Sequence, residues 1–250
     1  MGAFTLPNKY QVLLKTKIFL LFLATIYCCQ LFGMQLPKST PKKINYNFHS
    51  LLSTENNNDN NSYLEIEKKL VAHYVSLYLK GNELCRLMQR SKPFLEHVIN
   101  ELEKRNLPRE LALLPIVESE YRSSAVSHKG ATGIWQISYV AGKHYGLIYK
   151  LDNNMHDNRY DLTASTHAAL SYLEFLYEKF DNDWLLALAA YNAGEGRVSR
   201  AIKNNKFVGE KTNYWSLPLP KETRHYIPKL LALSIIFKDP KKFGLNFDPI

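Results

Sequence analysis

Glu118 sits in Pro115-Ile-Val-Glu-Ser-Glu-Tyr121 at the close of an apolar run, a setting that suits a carboxyl group to acid–base chemistry. Leu111, Leu113, Leu114, Ile116 and Val117 surround the turn that ends there. An apolar wall penalises the ionised form and lifts a carboxyl pKa towards neutrality, where one group can give a proton and take it back. Leu107-Pro108-Arg109-Glu110 reads as the start of the helix carrying it, with Pro where a missing N–H costs nothing and Glu in the first turn. At the C-terminal end of that helix the negative pole of the dipole pushes the pKa the same way. Apolar helices that end in an exposed charge are also common. This motif alone therefore leaves Glu118 as either a general acid or an ordinary helix-end carboxylate.

Two further segments bear on that choice. In Gly130-Ala-Thr-Gly-Ile-Trp-Gln-Ile137, paired glycines allow a close loop approach before Trp135 and Gln136 enter what reads as a helix. Trp offers a stacking face and Gln a two-way amide, a pair suited to a sugar ring and its acetamido group. In Ala187-Leu-Ala-Ala-Tyr-Asn-Ala-Gly-Glu-Gly-Arg197, an Ala-rich helix built for close packing gives out into Tyr191, Asn192 and a Gly-x-Gly turn. Each segment also has a plainer reading, with Tyr191 in the core and Asn192-Ala193-Gly194 as a helix cap.

Taken in order, these motifs resemble the lytic transglycosylases of the goose-lysozyme-like, soluble-transglycosylase family, in particular the branch of membrane-bound lytic murein transglycosylase D. The resemblance runs from about Ser91 to about Leu233. It rests on Glu118-Ser119, Gly133-Ile-Trp-Gln136, Ala190-Tyr-Asn-Ala-Gly194, and Tyr226 within Leu219-Pro-Lys-Glu-Thr-Arg-His-Tyr-Ile-Pro228. It implies an all-α, lysozyme-like catalytic domain with Glu118 as the catalytic acid and base. Ser119, Gln136, Tyr191, Asn192 and Tyr226 are then expected to line the cleft and hold the glycan, with Trp135 beside them. The implied substrate is the glycan strand of peptidoglycan. Glu118 would protonate the oxygen between N-acetylmuramic acid and N-acetylglucosamine, then take a proton from the muramyl 6-hydroxyl, which closes on C1 as a 1,6-anhydro end. Ordinary glycosidases use two carboxylates instead. A lysozyme-type hydrolase and a catalytically silent wall-binding protein are the competing readings.

Glu120 departs from the small residue common at that place in related enzymes. If the helix ends at Ser119, Glu120 could turn towards the cleft and assist a water. No small wall-binding repeat of the kind found in relatives fits after Leu245, so targeting is expected to rest on the catalytic domain and its tether.

The elements that must position these residues are legible in outline. At 250 residues with 46% hydrophobic and 12% aromatic, the chain can bury one substantial core. Residues 107–250 are assigned to the catalytic domain, 63–106 to two bracing helices, 35–62 to a polar tether and 1–34 to a signal peptide or anchor. The first bracing helix carries Leu64, Leu70, Val71, Tyr74, Val75, Leu77 and Tyr78 up to Gly81, and the second is expected to start near Pro93. Asp161 and Asp183 read as N-caps of the helices that follow. No β-branched period-two pattern appears, so at most a short hairpin is expected.

Net charge is +9, of which Lys9, Lys15 and Lys17 before Met34 supply three. Basicity suits an anionic polymer, yet no helix-turn-helix, zinc-finger or RNA-binding pattern points to nucleic acid, and none is expected as a partner. His144, His156, His167 and His225 share no metal-ligand spacing, so neither metal nor cofactor is expected. Lys15 and Lys17 precede the apolar run Ile18–Cys29, which suits a signal-peptide core or, with residues 18–34, an anchor. Ile26 and Tyr27 are bulky for lipoprotein processing at Cys28 or Cys29. The location expected is the cell envelope, periplasmic, secreted or membrane-associated through the N-terminus, and the state a monomer.

Overall fold

Gly81 lies in the left-handed region (φ +62°) and parts the first two helices of the described residues, α1 (Ser62–Leu79) and α2 (Glu83–Lys104). The computed structural model describes residues 62–150, 156–245 and 247, so the expected leader and all but the last residue of the tether lie outside them. Helix α2 begins ten residues before the expected start, and Pro93 lies inside it. Its amphipathic stripe, with Leu84, Leu87, Val98 and Leu102 buried, runs through the proline and offsets the lost backbone bond.

The run after Pro108 divides. A 3₁₀ turn (Arg109–Leu113) leads into the six-residue α3 (Leu114–Ser119), with Pro115 in its first turn where an N–H is not needed. Next come α4 (Tyr139–His144), a two-stranded antiparallel hairpin, β1 (Tyr149–Lys150) and β2 (His156–Asp157), then α5 (Leu162–Lys179), α6 (Trp184–Ala193), α7 (Glu195–Phe207) and α8 (Lys221–Lys238). The regular secondary structure of the described residues is therefore almost wholly helical, as expected. Asp161 caps α5 by accepting from the Ala164 N–H at 2.7 Å, and Asp183 caps α6 by accepting from Leu186 at 3.1 Å. No described helix is long and apolar enough to cross a membrane.

The hub is α6. Every residue from Trp184 to Ala190 is buried, the pattern of a helix covered on all sides. It packs against α5, α7 and α8, and its alanines, small on each flank, let those helices approach closely. Helix α8 lies between α1, α3 and α6, so it ties the bracing pair to the segment carrying Glu118. Tyr74 on α1 also meets the His225 ring nitrogen on α8 at 2.8 Å.

Leu188 is fully buried at this hub. Leu188→Ala removes three carbons from a site closed by three helices, so a loss of about 3 kcal/mol is expected. For a domain of this size that lowers Tm by about 10 °C in calorimetry. A shift below about 2 °C would show that α6 is not the packing centre.

Candidate active site

Helix α3 ends abruptly at Ser119, one residue past Glu118. Glu120 (φ +54°) and Tyr121 (φ +56°) both take the left-handed conformation, which costs a non-glycine residue about 1 kcal/mol or more. Side chains hold the turn. Glu120 accepts from Arg90 at 2.6 Å and Arg86 at 3.1 Å, both on α2, while buried Tyr121 donates to the Ala112 carbonyl at 2.7 Å and stacks on Phe94. Burial alone would raise the Glu120 pKa, but the Arg90 bond and the Arg86 charge outweigh it and keep this carboxyl below its ordinary value. Glu120 therefore faces α2 and not the cleft, contrary to the alternative in which it assists a water.

The segment Gly133–Ile137 is a closed turn instead of the expected helix. Thr132 and Ile137 exchange backbone bonds at 3.1 Å, and Gly133 (φ +78°) and Gln136 (φ +49°) are both left-handed. A Cβ on Gly133 would lie 2.2 Å from the Arg159 carbonyl oxygen, so only glycine fits there. Three successive carbonyls of the turn accept from side chains of separate motifs. Gln136 Nε2 donates to Gly133 at 2.8 Å, Ser119 Oγ to Ile134 at 2.8 Å and Tyr191 Oη to Trp135 at 2.8 Å. Arg159, itself held by Asp157 at 2.6 Å, donates to Gly130 at 2.8 Å and fastens the loop to the hairpin.

Two expected cleft residues prove to be structural. Trp135 is completely buried, with its indole N–H donating to Thr166 Oγ1 at 3.0 Å, so it presents no stacking face to a sugar. Ser119 is buried with its hydroxyl committed to the turn. Both share sequence motifs with cleft residues, but their side chains are buried in the scaffold.

Glu118, Gln136, Tyr191, Asn192 and Tyr226 come together around one cleft of about 450 Å³. Tyr226 donates to Glu118 Oε1 at 2.5 Å across 108 residues of sequence. Burial of the carboxyl pushes the Glu118 pKa up to about 7, the Tyr226 bond opposes part of that rise, and Glu222 adds to it. Tyr191 and Tyr226 titrate well above their ordinary range, through burial first and the nearby Glu118 second. Asn192 Oδ1 accepts from Thr223 Oγ1 at 2.8 Å, which orients the amide at the end of α6. A larger hollow of about 680 Å³ over α2, among Met88, Leu95, Ile99 and Arg109, shares no residue with this cleft.

A model of the transglycosylase SLT domain matches residues 98–214, the stretch that supplies Glu118, Gln136, Tyr191 and Asn192. A relative named "Putative tributyltin chloride resistance protein" in Alteromonas sp. is 41% identical over 61% of this chain and 72% of its own length. The chain belongs to the SLT-domain transglycosylase family. Membrane-bound lytic murein transglycosylase D of Escherichia coli K12 is 51% identical over 63% of the chain, which spans about a third (34%) of that protein. A solved complex of the 70-kDa soluble lytic transglycosylase with bulgecin A has a TM-score of 0.51 at 20% identity, covering 77% of this chain and 32% of that one, a likeness of fold.

The cleft also holds residues that sequence reading missed. Glu222 and Lys229 flank Tyr226 on α8, at positions one helical turn to either side. That i−4, i, i+3 spacing was available once Tyr226 was assigned to a helix face. Tyr172, which packs on Tyr191 with ring centres 5.5 Å apart, lies in a helix that reads only as packing and gave no signal.

The raised Glu118 pKa has a consequence for stability. The folded protein holds this proton more tightly than the unfolded chain, so the associated stability is complete below about pH 4.5 and is lost as pH rises towards about 7. Gln keeps the shape and stays neutral. The Tm of Glu118→Gln minus that of wild type should therefore increase from pH 4.5 to 7 and then level off. A difference that stays constant across pH 4–8.5 would show an ordinary carboxylate.

Proposed function

We propose that the chain is a lytic transglycosylase that cleaves the β-1,4 bond between N-acetylmuramic acid and N-acetylglucosamine in peptidoglycan. Glu118 acts first as acid and then as base, and the product carries a 1,6-anhydromuramyl end. The observation that carries the reading is the Tyr226–Glu118 hydrogen bond inside a cleft that holds the carboxyl near pKa 7. A carboxyl poised there is protonated in a large fraction of molecules before the bond breaks and accepts a proton afterwards. Gln136, Asn192 and the rings of Tyr191 and Tyr226 line the space where the glycan would lie. Membership of the SLT family supports the non-hydrolytic outcome. The domain limits 63–106 and 107–250, location in the cell envelope through residues 1–34, and action as a monomer belong to the same proposal.

Glu222 in the cleft favours a second reading, in which it activates a water and the reaction ends in hydrolysis. Product chemistry separates the two. Muropeptides released from purified sacculi should carry anhydro ends that resist borohydride reduction, as read by mass spectrometry; mostly reducible ends would assign the hydrolase. Glu118→Gln should lower turnover by at least about 10²–10⁴-fold while glycan binding persists. Turnover within threefold of wild type would place the acid elsewhere.

Tyr226→Phe tests the hydroxyl separately from the ring. Loss of one hydrogen bond to a charged group should reduce kcat about ten- to a hundredfold with little change in Tm. Because that bond opposes the rise in the Glu118 pKa, its loss should also move the basic limb of the pH–rate profile upward. Unchanged kinetics, with instability only in Tyr226→Ala, would leave Tyr226 a core residue.

A further inference from the structure

Helix α7 begins at the cleft and ends in open solvent. It follows Ala193 and Gly194, which line the cleft, and its 13 residues span about 20 Å. At its end stand the most exposed pair of neighbouring apolar side chains among the described residues, Phe207 at 90% and Val208 at 67%. This tip is built and not frayed. Buried Asn205 donates to the Lys211 and Ser216 carbonyls at 2.7 and 3.0 Å, the Glu210 N–H donates to the Asn205 carbonyl at 2.8 Å, and Gly209 (φ +75°) turns the chain back. A phenylalanine held rigidly in water has no role in the packing of this domain.

The charge around the tip has one sign. Arg197, Arg200, Lys203 and Lys206 are exposed, and none of them enters an ion pair among the described residues. The acid at the start of the helix, Glu195, is engaged by Lys179 at 3.0 Å. From residue 196 to 211 the sole acidic residue is Glu210. Exposed aromatic and aliphatic side chains ringed by cations complement the surface of an anionic lipid leaflet, where the apolar pair enters the acyl boundary and the cations meet phosphate. Lys203 and Lys206 lie within about a turn of the tip, close enough for headgroups. Arg197 and Arg200 are about 10–15 Å back along the axis and act at longer range.

We propose that Phe207, Val208, Lys203 and Lys206 form a membrane-surface contact for anionic lipid, separate from any attachment through the N-terminus. Docked this way, α7 acts as a strut that holds the cleft up to about 20 Å above the lipid. The contact does not depend on the reaction performed in the cleft.

The test uses the full chain carrying Phe207→Trp, mixed with vesicles of phosphatidylglycerol or of phosphatidylcholine whose acyl chains are brominated. Expected is strong quenching of the added tryptophan in phosphatidylglycerol only, while Val140→Trp, at another exposed apolar site, stays unquenched. Adding Lys203→Gln and Lys206→Gln should weaken the vesicle partitioning reported by that quenching about fivefold per lysine. Phe207→Ser should abolish the tip contact yet leave Tm and turnover of soluble muropeptides unchanged, which separates this proposal from the catalytic one. An unquenched Phe207→Trp on chain that is itself vesicle-bound, or equal quenching in both lipids, would overturn it. So would loss of sacculus binding in Phe207→Ser without any loss of vesicle contact, since the tip would then meet the wall polymer.

Discussion

The hydrogen bond between Tyr226 and Glu118 is the constraint on which the site depends. It joins two helices whose contributing residues are 108 apart in sequence, and it forms only if α8 packs directly on α3. That packing also dries the carboxyl. Burial raises the Glu118 pKa while the tyrosine holds the rise in check, so two opposing effects of one contact leave the group near neutrality. The bracing helices matter here because α1 lies along α8 and α2 reaches the turn after α3.

Two carboxylates, Glu118 and Glu120, stand two residues apart and meet opposite fates. One is enclosed and rises towards neutrality; the other is drawn onto Arg86 and Arg90 and falls below its ordinary range. The break in α3 causes the separation, since left-handed Glu120 and Tyr121 swing the chain away from the helix axis. Backbone strain of this kind persists only where surrounding contacts over-determine it. Those contacts are the two arginines, the Tyr121–Ala112 bond and the Phe94 ring. The Gly133–Gln136 turn repeats the principle, as its carbonyls are satisfied by Ser119, Tyr191 and Gln136. Motifs separate in sequence thus hold one another in place, and several of their polar residues serve the scaffold more than the ligand.

Much of the fold was legible because its signals are local. Apolar periodicity marked α1 and α5, Asp161 and Asp183 marked helix starts through a bond made three residues away, and Gly81 marked a break through its own backbone angle. Local signals failed where a distant group decided the outcome. Pro93 suggested a helix start, but the buried stripe on both sides of it kept α2 continuous. Trp135 and Gln136 suggested a helix, but satisfaction of the turn by Ser119 and Tyr191 replaced helical bonds.

The division at the site follows the same physics. By itself the sequence determined which carboxyl has an apolar wall, because Leu111 to Val117 adjoin Glu118 in the chain, and it determined the residue types that gather round it. Only tertiary structure decided which of those side chains face the cleft. Trp135 and Ser119 turn inward, Glu120 turns to α2, and Glu222, Lys229 and Tyr172 enter unannounced. Which side of the scaffold a side chain is buried against, and proximity across a helix–helix contact, are properties of the packed chain that residue spacing does not encode.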